Sequence, residues 1–163
     1  SPSLATGLGL DLPIQPAKGY SIEVDAPDDT PDMPFMLTEA KVAVTPLGKG
    51  RLRLAGTLEL AGLDLGVNHR RVDAIMRAVP RYLPQWDPAG FRVHEVWRGL
   101  RPCTPDGLAL LGRPRAWDNV VVAAGHAMVG MSLGPVTGQL IGQIVCGEVP
   151  QFELGLLDPD RFG

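Results

Sequence analysis

Alternation of hydrophobic and polar positions predicts three strands in the first part of the chain, over residues 14–25, 35–45 and 51–60. In the first of them, Tyr20, Ile22 and Val24 alternate with polar neighbours, which is typical of a half-buried strand. The stretch 26–34 carries three prolines and three aspartates and predicts a loop. The three strands together predict an antiparallel meander.

The hydrophobic period changes to that of a helix in two later segments. The first runs from Asn68, the expected N-cap, to about Leu83, and its apolar face comprises Val72, Ile75, Met76, Val79 and Leu83. The second covers about 133–146, with an expected core face of Val136, Leu140, Ile141, Ile144 and Val145. The apolar run 119–124 before it predicts a strand buried on both faces. The predicted fold class is α+β, an antiparallel or mixed sheet with flanking helices.

Composition narrows the classes of protein to which the chain can belong. Its 163 residues are 45% hydrophobic and 20% charged, which excludes global disorder. The net charge of −3 gives no indication of a nucleic-acid partner. Two cysteines without the spacing of a metal site favour a reduced, cytoplasmic compartment. The chain begins at serine rather than methionine, and we expect it to be a piece of a longer polypeptide.

Two segments carry candidate chemistry. In the first, the apolar run is followed by the glycine-flanked loop Gly125–Gly130 and then by a helix. A helix N-terminus presents unpaired N–H groups and suits an anion or a cofactor, although the same pattern also occurs in ordinary strand-loop-helix connections. In the second, Arg101 stands before a proline and is a candidate for binding a carboxylate through its guanidinium fork, or else for pairing with a structural acid.

Three motifs occur together and in order: P-x-K-G-Y at Pro16–Tyr20, W-R-G-L-R-P-x-T-P-D-G at Trp97–Gly107, and G-H-x-M-x-G followed by P-x-T-G at Gly125–Gly138. In this combination the chain resembles the C-terminal part of the FAD-dependent D-amino acid oxidase-like family, most closely its bacterial D-amino acid dehydrogenase branch. The resemblance covers roughly Leu12 to Pro150. The G-x-G-x-x-G motif of a dinucleotide-binding strand and helix is absent from the sequence.

The resemblance implies an enzyme that oxidises a D-amino acid, or a similar amine acid, to the imino acid and then the 2-oxo acid and ammonia, by hydride transfer to FAD. Arg101 would bind the substrate carboxylate. The residues that would contact the cofactor are Gly125, His126, Met128, Val129, Gly130, Met131 and Ser132. No catalytic side chain and no metal are implied.

Residues 1–13 are mixed in Gly, Leu and Pro without a clear period, and we expect them to be a linker. The resemblance implies how the rest of the chain is divided: 14–100 would be a substrate-binding sheet with one helix, 101–150 the strand, loop and helix that contact flavin, and 151–163 a tail. The partner would be a missing N-terminal FAD-binding half, without which the fragment is expected to be inactive. A quinone acceptor and association with the cytoplasmic face of the inner membrane are open for the full-length protein.

Several alternatives stay open at this point. A glycine- or sarcosine-type oxidase and a hydroxyproline dehydrogenase are close ones, and a non-catalytic binding or assembly module is one of another class. Two departures from the family pattern concern the site itself. Ala127 stands where members commonly have a second glycine, so a left-handed backbone there would be strained. Met131 and Ser132 stand where the dehydrogenase branch often has Trp-Thr, which leaves the choice of substrate open.

Overall fold

The computed structural model describes residues 2–163. Its helices and strands are, along the chain, α1 (Pro2–Thr6), β1 (Gln15–Asp25), β2 (Phe35–Leu37), β3 (Val42–Gly48), β4 (Arg51–Glu59), α2 (His69–Ala78), β5 (Val93–Cys103), β6 (Leu110–Gly112), β7 (Val122–Ala124) and α3 (Gly130–Cys146). The chain divides into two compact units. The sheet unit is Ala17–Leu100, and the loop-helix unit combines the chain up to Pro16 with Arg101–Gly163.

The sheet unit contains a five-stranded sheet with the order β2-β3-β4-β1-β5. β1 pairs antiparallel with β4 and not with the strand that follows it, so the predicted meander is wrong in its order. The predicted strand 35–45 is in fact the two strands β2 and β3. A turn separates them, in which Lys41 N–H donates to the Thr38 carbonyl over 3.3 Å and Lys41 takes a left-handed φ of +55°.

One face of this sheet forms the core of the sheet unit. The alternating apolar residues of β1, β3 and β4 are buried there, as their period of two requires: Ile22, Val24, Val42, Val44, Leu52 and Leu54. Val72 and Ile75 of α2 belong to the same cluster, which confirms the predicted helix face at these positions. Burial of a side chain such as Ile75 contributes about 1.5–3 kcal/mol.

The start of α2 is tied to the sheet by its side chains. Asn68 stands at the N-cap, as predicted, but its side chain makes no capping hydrogen bond. Instead its Nδ2 donates to Glu59 Oε1 over 3.0 Å, and Tyr20 donates its hydroxyl to Glu59 Oε2 over 2.7 Å. These two hydrogen bonds favour the ionised carboxyl and hold the pKa of Glu59 below its ordinary value, the bond from Asn68 most strongly.

Lys18, from the P-x-K-G-Y motif, is buried in the sheet unit with its charge paired. Its Nζ donates to Asp64 Oδ2 over 2.9 Å and to the Gly66 carbonyl over 2.8 Å. The bond to Asp64 raises the pKa of Lys18 above its ordinary value, against the opposing effect of burial. A buried ammonium that kept no such partners would be strongly destabilising, so this motif has a structural role in β1.

The loop-helix unit is built around a two-stranded antiparallel sheet in which Leu110 pairs with Ala124. Leu10, Leu12 and Ile14 are buried in the same cluster as Leu110 and Val122. The N-terminal segment is therefore part of this unit's core, which differs from the linker predicted for residues 1–13.

The apolar run 119–124 contributes only the short strand β7. Val122 is buried but Ala123 is exposed, so the predicted burial on both faces is wrong. β7 pairs with β6 alone in the described part of the chain, which leaves its other edge unpaired.

The helix α3 begins three residues before the predicted start, so Gly130, Met131 and Ser132 form its first turn. Its predicted core face is buried only at Leu140, and Val145 is 61% exposed. A Cβ added at any of the glycines spaced by four along α3, Gly134, Gly138 and Gly142, would meet nothing within 4 Å. No helix among residues 2–163 is both long and apolar enough to cross a membrane.

Candidate functional site

The loop between β7 and α3 begins at Gly125, which has a left-handed φ of +80°. An added Cβ at this buried glycine would lie 2.7 Å from Thr104 Cγ2, closer than real side chains approach. The glycine is therefore required by packing against the neighbouring segment, in addition to the backbone conformation.

The backbone of the loop is held to the end of β5. Cys103 and His126 form an antiparallel bridge, and Ala127 N–H donates to the Pro102 carbonyl over 3.0 Å. Ala127 takes a left-handed φ of +48° at the position where the family pattern has glycine. The strain expected for a non-glycine residue there is thus present, and the two backbone contacts at His126 and at Ala127 itself hold this conformation in place.

His126 links the loop to α3. Its Nε2 lies 3.0 Å from Thr137 Oγ1, within hydrogen-bond distance, and its carbonyl accepts from Val129 N–H over 3.0 Å. His126 therefore orders the loop against the second turn of the helix.

The start of α3 presents a positively polarised backbone. The first helical hydrogen bond runs from Leu133 N–H to the Val129 carbonyl over 2.9 Å, so the N–H groups of Gly130, Met131 and Ser132 precede it. The first turn contains no acidic residue, and Val129 as N-cap supplies no side-chain acceptor. Together with the helix dipole these N–H groups favour negative charge at this point. Met128 and Met131 are 71% and 94% exposed on either side.

Arg101 lies on β5, directly before the proline whose carbonyl binds the loop. Its side chain is half-buried, and its Nη1 is one of three buried side-chain atoms that have no hydrogen-bond partner among residues 2–163. A buried donor left without an acceptor costs about 1–3 kcal/mol, and more when the group is charged. The guanidinium thus has an unused donor that a carboxylate would satisfy.

All eight predicted site residues fall in the loop-helix unit. Seven of them lie in the continuous stretch Gly125–Ser132. Arg101 lies on β5, and the next residue of that strand, Pro102, accepts the hydrogen bond from Ala127 N–H in the stretch. No cluster of three or more His, Cys, Asp and Glu residues within residues 2–163 is arranged to hold a metal ion.

Sequence reasoning missed two further features of this unit. One is the pair of Asp106 and Arg161, whose Oδ2 and Nε are 2.9 Å apart. The only signal in the sequence was an acid in the T-P-D-G turn and an arginine in the predicted tail, 55 positions apart. Such a separation has no periodicity from which a contact could be predicted.

The second missed feature is an apolar groove of about 390 Å³ beside α3. Its wall includes Leu133 and Val136 of the helix together with Leu108 and Phe152, and the polar side chains of His126 and Thr137 also line it. The C-terminal segment thus forms a wall of the groove.

Comparisons with known proteins agree on one family. The sequence model described as DAO, FAD dependent oxidoreductase, matches residues 1–144. A D-amino-acid oxidase of Bradyrhizobium diazoefficiens is 36% identical over 99% of this chain and 38% of its own length. A D-amino acid dehydrogenase of Xanthobacter autotrophicus is 34% identical over the same shares. The chain therefore spans about two fifths of the length of these curated relatives.

Solved structures are similar over nearly the whole chain. A glycine oxidase from Geobacillus kaustophilus has a TM-score of 0.86 and 28% identity, covering 97% of this chain and 42% of that one. An iminodiacetate oxidase from Chelativorans sp. BNC1 has a TM-score of 0.84 over 96% of this chain and 42% of that one. At 22% identity, the second likeness shows the fold alone.

Proposed function

Because the chain belongs to the family of FAD-dependent oxidoreductases, we propose that it forms the carboxylate-binding and flavin-contacting part of an amino acid oxidoreductase. The substrate is a D-amino acid or a similar amine acid. Oxidation of its α-carbon gives the imino acid, and hydrolysis of the imino acid gives the 2-oxo acid and ammonia. The observation that carries the proposal is the buried, unpartnered Nη1 of Arg101 in the same unit as the uncapped start of α3.

The residues at the loop fit the cofactor that the family name specifies. The N–H groups at the start of α3 are free of helical hydrogen bonds, and no acidic side chain in the first turn opposes an electron-rich group. Exposed Met128, Val129 and Met131 offer apolar surface for a flat ring system. Both properties match the carbonyl edge and the faces of a flavin.

Arg101 is assigned the substrate carboxylate. A guanidinium binds a carboxylate with two parallel hydrogen bonds, which fixes both the position and the orientation of the α-carbon. The half-buried side chain strengthens this interaction, because charge-assisted bonds gain from a lower local dielectric.

The stretch Gly125–Ser132 is assigned the flavin ring. FAD, when bound, supplies the acceptor for the hydride that leaves the substrate α-carbon. The N–H groups of Gly130, Met131 and Ser132 stabilise negative charge at the helix start and so favour electron transfer towards it. His126 keeps the loop against Thr137 and needs no proton-transfer role when the substrate amine is neutral.

The dinucleotide portion of FAD requires a second half of the protein, which is the proposed partner of this chain. The sequence has no G-x-G-x-x-G motif, and the curated relatives are more than twice as long as the region they share with it. Three features of the loop-helix unit support docking of such a half: the open glycine face of α3, the apolar groove and the unpaired edge of β7.

A glycine-oxidase activity is the second candidate, because a glycine oxidase structure is 28% identical to this chain. The two activities differ in the room that the site leaves for a substrate side chain. Steady-state rates with glycine, sarcosine and D-alanine therefore separate them: a preference for glycine or sarcosine supports this second candidate.

Substitution of Arg101 tests the assigned role. In a full-length protein that carries these residues, Arg101→Ala should raise KM for amino acids by about 10- to 150-fold, the factor for loss of a charged hydrogen bond. Arg101→Lys keeps the charge but not the fork, and we expect an intermediate KM. Unchanged KM in a folded, flavin-loaded Arg101→Ala variant would refute the role.

A further inference from the structure

The side chain of Arg161, in the segment that follows α3, is enclosed by hydrogen-bond acceptors. It is 12% exposed, and its Nε and Nη2 each lie 2.9 Å from an oxygen of the Asp106 carboxylate. Nη2 also donates to the Leu108 carbonyl over 2.8 Å, and Nη1 donates to the carbonyls of Ala109 and Asp158 over 3.1 and 3.2 Å. Each of the three guanidinium nitrogens therefore donates at least one hydrogen bond.

These contacts fix a tight turn. Gly107 N–H donates to the Thr104 carbonyl over 3.3 Å, and Leu108 N–H donates to Asp106 Oδ1 over 3.0 Å. The Thr104 hydroxyl donates to the Leu108 carbonyl over 2.7 Å, so Thr104 and Arg161 share one acceptor. Arg161 thereby fixes the position of Thr104 as well as that of Asp106.

Thr104 in turn packs against Gly125, the first residue of the loop that we assign to the flavin. Its buried Cγ2 occupies the space that a Cβ at Gly125 would need, 2.7 Å away. The same glycine lies against the backbone of the segment that Arg161 binds, 3.9 Å from Ala109 Cα when measured from that Cβ position. A displacement of the turn would therefore remove the surface on which the loop rests.

We propose that Arg161 is a positioning residue for the Gly125–Ser132 loop and acts through the Thr104–Gly107 turn. It touches neither the loop nor the residues assigned to the substrate, so its effect must pass through Asp106, Leu108 and Thr104. The consequence for the cofactor rests on the proposed function, whereas the consequence for the order of the loop does not.

The test compares Arg161→Lys with Arg115→Lys in a full-length protein carrying these residues. Arg115 is 78% exposed, belongs to the same unit and has its Nε 4.0 Å from Asp160 Oδ2, at the outer limit of an ion pair, so it is a control for the same change in side chain at a weakly paired arginine. The first measurement is hydrogen exchange of the peptide 125–133, which contains the hydrogen-bonded amides of Ala127, Val129 and Leu133. The reference is a peptide covering residues 42–59 in the sheet unit.

We expect Arg161→Lys to accelerate exchange in 125–133 about tenfold or more, as loss of a charged hydrogen bond implies, and to leave 42–59 unchanged. Arg115→Lys should change neither peptide. Asp106→Asn keeps an oxygen for Leu108 N–H but loses the negative charge. It should also accelerate hydrogen exchange in the peptide 125–133, by a smaller factor than Arg161→Lys. This second variant serves if Arg161→Lys does not fold.

The second measurement is the dissociation constant of FAD, which should rise about tenfold or more in Arg161→Lys and not in Arg115→Lys. Unchanged exchange in 125–133 would overturn the inference, and so would equal acceleration over the whole loop-helix unit, including residues 10–14. Accelerated exchange confined to the loop and its turn supports it even if no variant binds FAD, a result that would refute the proposed function alone.

Discussion

Gly125 and Ala127 both have left-handed backbone in the loop that we assign to the flavin, yet only one of them is glycine. At Gly125 the neighbouring Thr104 also excludes a side chain. At Ala127 the side chain is tolerated, but the conformation costs an L-residue about 1–2 kcal/mol. The hydrogen bond from Ala127 N–H to the Pro102 carbonyl helps to hold it there.

These two residues should respond in opposite directions to exchange of glycine and alanine. Ala127→Gly removes the strain and should raise the free energy of unfolding by about 0.5–1 kcal/mol, after the entropy gained by the unfolded chain. Gly125→Ala adds both strain and a steric clash and should lower it by about 1–3 kcal/mol or more. Urea unfolding measures the free energy of unfolding of both variants. An Ala127→Gly variant less stable than wild type would show that Ala127 is not strained.

At this scale the sequence indicated where the loop lies and that Ala127 departs from the family pattern. It did not indicate the partners of the loop, because each is distant along the chain. Thr104 lies 21 positions before Gly125, and Arg161 lies 55 positions after Asp106. Contacts of this kind depend on how elements fold together and leave no period in the sequence.

Among the elements, α3 departs most from its predicted packing. The helical spacing was correct, but burial reaches only Leu140, and the glycine-bearing side has no neighbour among the described residues. Glycines inside a helix each cost about 1 kcal/mol relative to alanine. Three of them on one open side are what close approach by another polypeptide would require, which agrees with the proposed docking of a dinucleotide-binding half.

Gly138→Ala should therefore have different effects in two settings. In the 163-residue chain the added methyl group meets nothing, and we expect the free energy of unfolding to rise by about 1 kcal/mol. In a full-length protein the same change should lower stability or FAD affinity, because the approach is then obstructed.

Gly56→Ala provides a control for the Gly138 experiment. Its added Cβ would lie 3.1 Å from the Lys41 carbonyl oxygen within the sheet unit, so it should destabilise the protein in both settings. If Gly138→Ala changes neither the stability nor the FAD affinity of the full-length protein, that result would argue against docking at this face of α3.

The sequence pattern predicted which residues are buried more accurately in the strands of the sheet than in α3. Residues such as Ile22, Leu52 and Leu54 bury one face of the sheet against α2 within the same unit, so their alternation reports burial directly. The order of the strands was wrong because alternation carries no information on which strand pairs with which. The break at Lys41 was missed because it has no glycine or proline signal.

For the whole molecule, four carboxyl groups with lowered pKa values link folding to pH. The His94 hydrogen bond lowers the pKa of Asp25, and the Arg161 bridge lowers that of Asp106. The Gly66 N–H and the Asn68 amide are the largest causes for Asp64 and Glu59, respectively. A carboxyl whose pKa is lower in the folded state contributes stability above its ordinary pKa of about 4, and this contribution is lost as pH falls through that range.

The urea midpoint should accordingly be steady near neutral pH and fall as pH decreases below about 5. Asp106→Asn should lower the neutral midpoint and weaken the acid dependence, since the variant has one fewer titrating group whose pKa is lowered. The control is Asp28→Asn, because Asp28 is exposed and forms no side-chain hydrogen bond or ion pair within residues 2–163. An acid dependence identical in Asp106→Asn and wild type would contradict the assigned role of the Asp106–Arg161 pair.

Whether these residues serve a flavin that accepts hydride from an amino acid is tested most directly by the visible absorption spectrum of a full-length protein carrying them, recorded without oxygen before and after addition of D-amino acids. We predict a flavin band that is bleached rapidly by at least one D-amino acid or similar amine acid in wild type. In Arg101→Ala, bleaching at low substrate concentration should be much slower. A protein that binds no flavin, or whose flavin band is unchanged by every amino acid, glycine and sarcosine included, would contradict the account.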